Sequence, residues 1–226
     1  MTERRLWQIS FLSGAVMLAL AALAMSAFPE EAGPYPKGFG DPIYALEFAR
    51  SKADVLTVFG ARQDHADFIA AVKAGTRWDF AFIVALAVFL CTFFLALFRR
   101  TGQQVWLCFA VLGVVTAFAD AMENVIILGL LPRLDIMPKL SVLAVPVTLK
   151  FVGIAVTIIG AGIYLILQKR PIRRFEGIAA LLSGAGILMA LSQPQTLGWT
   201  LSPLITIGWL AMLAFTVTQG FKPIKL

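Results

Sequence analysis

Three polar residues stand at helical spacing inside a strongly apolar part of the chain. Asp120, Glu123 and Asn124 occupy positions i, i+3 and i+4 of the segment 105–131, so they share one face of a helix. Thr116 extends that face by one turn. Two carboxyls beside an amide can exchange a proton with a substrate or bind a cationic group. The pattern therefore predicts a buried polar site with either acid–base chemistry or ligand binding as its role.

The insertion energies of these residues determine which way they face. Two acids in the middle of a membrane helix cost ~5–7 kcal/mol, whereas the Leu, Ile, Val and Phe residues of the segment contribute ~4–8 kcal/mol in favour of insertion. The segment can therefore enter a bilayer, but its acids cannot face lipid. We expect them to face the interior of a helix bundle or a water-filled cavity.

Lys150, in the next apolar segment, is the expected partner of these acids. At ~1.5 Å per residue, Lys150 lies about 13–14 Å into its segment, and Glu123 and Asp120 lie about 12 Å and 16–17 Å into theirs, counted from the same face. These depths predict a buried ion pair. Two carboxyls and one ammonium leave a negative charge in excess, so one carboxyl is expected to take up a proton or meet a cationic ligand.

Three further polar residues are candidates for the mouth of the same pocket. Asp79 lies at the start of the second apolar segment, and Glu47 and His65 belong to the long loop before it. His65 is the only histidine, and Cys91 and Cys108 are isolated within apolar stretches. These counts predict no metal site and no cofactor, because the usual His and Cys ligand spacings are missing.

Four short patches of the chain resemble a group of uncharacterised bacterial multi-pass inner-membrane proteins. The patches are L-E-F-A at 46–49, D-x-x-F-I at 79–83, D-x-x-E-N at 120–124, and Lys150. The resemblance implies a bacterial inner-membrane protein, and it implies no reaction.

The composition requires a membrane around these residues. Hydrophobic residues make up 59% of the 226-residue chain and charged residues only 14%, against roughly 25% charged in a soluble domain. We predict an all-α membrane protein with a single domain and six transmembrane helices. The first apolar stretch exceeds the ~7–15 residues of a signal-peptide core, which favours an uncleaved helix over a signal peptide. The predicted spans are 7–28, 78–98, 105–131, 141–167, 175–191 and 201–217.

Residues 29–77 are predicted to form a partly helical extracytoplasmic cap. Asp41-Pro42 is a typical helix start, and apolar residues recur at helical spacing along 43–59. This cap is also the predicted contact surface for a membrane-protein partner.

The distribution of basic residues predicts the orientation in the membrane. With a cytoplasmic N-terminus, the cytoplasmic segments hold ten Lys and Arg residues, and the two short loops on the other side hold only Arg133 and Lys139. Basic residues favour the cytoplasmic side, so both termini are expected in the cytoplasm. Since the formal charge of +6 comes from these helix-end residues, we expect the lipid bilayer, and no nucleic acid, as the partner.

Three functions remain open at this point. The first is a protein that binds or carries a small molecule or lipid in an outward-opening pocket between the third and fourth spans. The second is a structural or assembly subunit, in which the acid–lysine pair only fixes helix packing. The third is an intramembrane hydrolase or isomerase of a lipid-like substrate that uses Glu123 or Asp120 as acid or base.

Overall fold

The computed structural model describes residues 1–29, 33–60, 66–131 and 140–221. Outside these ranges lie His65, predicted at the pocket mouth, and four of the basic residues that predict the orientation, namely Arg133, Lys139, Lys222 and Lys225. Within them the structure is helical and contains no strand.

Six helices of the described residues are long and apolar enough to cross a membrane. The predicted class, an all-α bundle of six such helices, is confirmed, and these are the helices of a multi-pass membrane protein. The long helices are α1 (Glu3–Ala27), α4 (Ala66–Thr101), α5 (Val105–Leu130), α6 (Ser141–Ile166), α7 (Pro171–Ser192) and α9 (Leu201–Gly220), with the short α8 (Pro194–Leu197) leading into α9.

The largest difference from the expected spans concerns α4. This helix begins at Ala66 rather than Trp78 and has 36 residues, which makes it about 54 Å long against a hydrocarbon core of ~30 Å. Phe68 and Val72 lie one turn apart and are both buried. The extra turns thus have a buried face of their own, and residues 66–77 form the first part of α4 instead of a loop.

The remaining cap contains two short helices instead of one helix along 43–59. In α2 (Pro42–Glu47), the Asp41 side chain accepts a hydrogen bond from the Ile43 N–H. In α3 (Lys52–Phe59), Ser51 and Asp54 form a reciprocal capping box. Ser51 has an extended backbone, so this start signal ends the first helix and begins a second one.

The long helices form a closed ring in which each one packs against two neighbours, in the order α1, α4, α5, α6, α7 and α9. Aromatic side chains fill its interior near the chain termini. Trp7 lies edge-on to Phe93 and Phe215 at ring-centroid distances of 5.5 and 5.2 Å. These contacts join α1, α4 and α9.

The two ends of the ring are distinct. At the terminal end, Arg4 and Gln8 of α1 donate hydrogen bonds to the carbonyl of Gly220 in α9. At the cap end, Gly38 lies so close to α8 that an added Cβ would stand 1.9 Å from the Gln195 carbonyl oxygen. Only glycine allows this approach, so the cap is seated directly on the bundle.

Candidate polar site under the cap

The face of α5 that carries Asp120, Glu123 and Asn124 points into the bundle. All three side chains are buried, as the cost of exposing acids to lipid requires. Gly153 of α6 opposes this helix at Thr116, where an added Cβ would meet the Thr116 hydroxyl oxygen. Close approach at this glycine brings α6, and with it Lys150, against the acids.

The Lys150 ammonium is the centre of the site. Its Nζ lies 2.7 Å from Glu123 Oε1 and 3.4 Å from Asp120 Oδ1. The same atom stands 4.6 Å from the centroid of the Phe151 ring, within the range of a cation–π contact. The two acids and the lysine that the sequence brings to a common depth are therefore in direct contact.

Glu47 of the cap joins the same ammonium. Its Oε1 lies 3.1 Å from Lys150 Nζ, and both side chains are buried. Glu47 is the last residue of α2, and its carbonyl accepts a hydrogen bond from Arg50 Nη1 at 3.1 Å. The residue expected at the pocket mouth is thus part of the ion cluster, and it ties the cap to α5 and α6.

Asp79 of α4 completes the polar group. Its Oδ2 accepts a hydrogen bond from Asn124 Nδ2 at 2.6 Å. This bond fixes the amide of α5 against α4 and links a third long helix to the site.

The acids of the site outnumber its cations. Glu47, Asp120 and Glu123 contact one ammonium, and Asp79 adds a fourth carboxyl bound to Asn124. The Oε2 atoms of Glu47 and Glu123 have no hydrogen-bond partner among the described residues. A buried carboxylate without compensation costs several kcal/mol. The arrangement therefore favours uptake of protons or of a further cation.

Burial also affects the titrating groups of the cap. It raises the pKa of Asp41, with an opposing effect from the Ile43 N–H and a further rise from Glu47. Burial raises the pKa of Tyr44 as well, and Glu47 adds to the rise, so this phenol stays protonated. The pKa of Arg50 is lowered by burial and raised by Asp54 and Glu123.

A cavity of about 120 Å³ borders this cluster. Its lining combines the acids Glu47, Asp79 and Asp120 with Lys150, with aromatic rings, and with the cap-end parts of α1 and α9. Besides Glu47 and Asp79, the lining residues from outside the predicted pair of helices are Ala21, Ala24, Met25, Phe28, Ile43, Tyr44, Phe82, Ser202, Ile205, Thr206 and Trp209.

Among the other predicted site residues, Asn124 lines the cavity, whereas Thr116 and Glu123 do not. The Thr116 hydroxyl donates to the Leu112 carbonyl at 2.8 Å and packs at the α5–α6 contact. Glu123 contacts Lys150 without reaching the cavity lining. Within the ranges described, no set of three His, Cys, Asp or Glu side chains is arranged to hold a metal ion.

Some lining residues had no signal in the sequence analysis. Trp209 reads as a core residue of an apolar helix, yet it lines the cavity and its buried Nε1 has no hydrogen-bond partner in the part of the chain that is described. Ser202 and Thr206 are small polar residues on the same helix. Ser202, Thr206 and Trp209 stand at i, i+4 and i+7 and therefore share one face of α9. This spacing is the sequence pattern that indicates these lining residues.

No protein-family model, curated protein or solved structure matches this chain. The function is therefore argued from the geometry of the site.

Proposed function

We propose that this protein binds or carries a small molecule in the polar cavity beneath its cap. In this proposal it is a bacterial inner-membrane protein with both termini in the cytoplasm and the cap on the outer side. The excess of basic residues on the terminal side supports this orientation.

The strongest support for the proposal is the open space beside the buried acids. Three carboxyls from three different elements, Glu47, Asp79 and Asp120, line a cavity instead of being packed closed. A cluster that served only to lock helices would be expected to fill its own space, since interiors are close-packed. Space next to unneutralised acids is the arrangement expected of a binding site.

The size of the cavity limits its ligand. Sites for drug-sized molecules measure ~300–1,000 Å³, and a cavity of ~150 Å³ holds benzene. At about 120 Å³, this cavity is suited to a small molecule or to one end of a longer one.

Native mass spectrometry of the purified protein tests the proposal. We expect the wild-type protein to carry a bound small molecule that Asp79→Asn and Asp120→Asn lose, because both side chains line the cavity. Each substitution removes a carboxyl and keeps nearly the same side-chain shape. As a matched control, Glu176→Gln removes a carboxyl from the Arg173 ion pair, which lies among the terminal-end contacts of α7 and α9, and it should keep the ligand. Wild-type protein without a bound molecule would contradict the proposal.

A structural role is the second candidate, and one observation favours it. Lys150 joins the cap to α5 and α6 through three carboxyls, which is the geometry of a lock. Folded, ligand-free protein in the wild type as well as in every variant would support this role. An acid–base enzyme, the third candidate, needs a reacting atom of its substrate within ~3 Å of a carboxyl. Loss of catalytic turnover in the Asp120→Asn variant would identify such an enzyme.

A further inference from the structure

We infer that the ligand of this cavity is an organic ammonium ion with an apolar arm, which reaches the site sideways through the seam between α1 and α9. The inference rests on the proposed binding function and adds the chemical class of the ligand and its route. The ammonium group can belong to a free amine or to the headgroup of a membrane amphiphile.

The charge around the cavity selects a cation. The acids that line it are Glu47 of the cap, Asp79 of α4 and Asp120 of α5. Glu123 contacts the lining residue Lys150, and Asp41 acts electrostatically on the lining residue Tyr44. The cations are Lys150 and Arg50, and Arg50 is directed to the backbone carbonyls of Glu47 and Ala49. The cavity-lining residues of α1 and α9 carry no charge. An anion would add to the excess of negative charge, whereas an ammonium ion reduces it.

The rest of the lining fits the body of such an ion. Tyr44, Phe82 and Trp209 line the same cavity, and the rings of Phe82 and Trp209 lie 5.6 Å apart. Aromatic rings beside carboxylates are the usual environment of bound organic ammonium groups. A bare metal ion would gain little from contact with these rings.

An unpartnered donor gives an independent indication of a ligand. Trp209 is only 5% exposed, lines the cavity, and its Nε1 has no hydrogen-bond partner among the described residues. A buried N–H without an acceptor costs free energy. An oxygen acceptor on the ligand would satisfy this N–H, as the hydroxyl of an amino alcohol does, in addition to the contacts of the ammonium group itself.

The seam between α1 and α9 provides the route. The two helices are in contact at the terminal half, where Gly14 meets Leu213. In the cap half, the cavity lies between them, and two of its lining residues, Met25 and Thr206, are also exposed on the outside of the bundle. An apolar arm can extend along this seam towards the lipid.

Isothermal titration calorimetry with n-hexylammonium as the probe tests the class of ligand, with n-hexanol as its neutral counterpart and hexanoate as its anionic one. We expect the detergent-solubilised protein to bind hexylammonium about 10–100-fold more tightly than hexanol, the range of one or two charge-assisted hydrogen bonds. Asp79→Asn and Glu47→Gln should each weaken hexylammonium binding about tenfold and leave hexanol unaffected. Equal affinity for the amine and the alcohol, or a preference for hexanoate, would overturn the inference.

The route has its own matched pair of variants. Ala24 lines the cavity and is buried, while Ala22 on the same helix is exposed. Ala24→Leu should fill the space that the apolar arm occupies in the seam and weaken hexylammonium binding at least about tenfold, and Ala22→Leu should not change it. Unchanged binding by Ala24→Leu would overturn the placement of the arm, and with it the route, in this seam.

Lipid nanodiscs distinguish the two sources of the ammonium group. In discs of phosphatidylethanolamine and phosphatidylglycerol, native mass spectrometry that finds retained phosphatidylethanolamine assigns the group to a headgroup. Hexylammonium binding without retained phosphatidylethanolamine assigns it to a free amine. A co-purified molecule that lacks an amine would overturn this inference while the proposed binding function stands.

Discussion

Replacing Lys150 by Met is expected to be the most destabilising single change in the polar site. The variant leaves Glu47, Asp120 and Glu123 around an apolar side chain, although all three lie within 3.4 Å of the ammonium in the native protein. Removing one partner of a buried ion pair costs ~3–5 kcal/mol. By contrast, Glu123→Gln leaves Lys150 with two carboxylates, so we expect the smaller loss of one charge-assisted hydrogen bond, ~1.5–3 kcal/mol.

The size of the Lys150→Met effect follows from the cost of neutralising a carboxyl. A glutamate with the ordinary pKa of ~4.3 must spend ~3.7 kcal/mol to hold a proton at pH ~7, and only ~1 kcal/mol at pH ~5. The folded variant then binds a proton that the unfolded chain does not bind. Its stability must therefore fall as the pH rises and recover on acidification.

Unfolding in mixed micelles, followed by tryptophan fluorescence at both pH values, measures this effect. A loss of ~3–5 kcal/mol corresponds to a drop in melting temperature of about 6–20 °C for a chain of this size. Glu123→Gln in the Lys150→Met background should restore part of the stability at neutral pH, because it removes one of the stranded carboxyls. Lys169→Met, an exposed lysine, is the control and should stay within about 0.5 kcal/mol of wild type. A Lys150→Met variant with wild-type stability at neutral pH would show that the three carboxyls do not need the ammonium.

Three further predictions concern the cap, and amide hydrogen exchange measures each of them. Asp41→Ala should destabilise α2 by about 1 kcal/mol, because the capping oxygen is lost; Asp41→Asn keeps that oxygen and, since burial raises the pKa of Asp41 in the fold, should be at least as stable as wild type at neutral pH. Gly38→Ala should speed exchange throughout the cap, because its Cβ would stand 1.9 Å from the Gln195 carbonyl oxygen, whereas Gly129→Ala meets nothing within 4 Å and should have no such effect. The N–H groups of Arg50 and Ser51 lower the pKa of Asp54, so the stability of α3 should be lost as the pH falls through that pKa. Asp54→Asn should abolish this pH dependence. Unchanged amide hydrogen exchange of the cap in all of these variants would contradict the capping and packing contacts of the cap.

The membrane helices and the acid–lysine contact could be predicted from the sequence because each follows from a local rule. Apolar runs of spanning length fix the six helices. The i, i+3 and i+4 spacing of Asp120, Glu123 and Asn124 fixes their shared face, and counting residues from one membrane face brings Lys150 to the same depth. No knowledge of the ring order was needed for these steps.

The rest of the site depends on contacts between distant parts of the chain. Glu47 meets Lys150 only because the cap is seated on the bundle by Gly38 and by the ring stacking of Phe48 on Phe151. Ser202 and Trp209 line the cavity because the closed ring brings α9 back beside α1. The sequence pattern of the cap or of α9 alone does not indicate which part of the chain will lie beside it. The sequence also does not indicate that α4 begins at Ala66, because the charged residues at 77 and 79 resemble the end of a membrane span.

A density map of the wild-type protein, purified with its native lipids, would show whether the cavity holds a ligand. We expect Glu47, Asp120 and Glu123 around Lys150 and density for a bound molecule in the cavity between Asp79 and Trp209. A bundle with this space closed by side chains, or with the cap displaced and Lys150 out of reach of Glu47, would contradict this expectation.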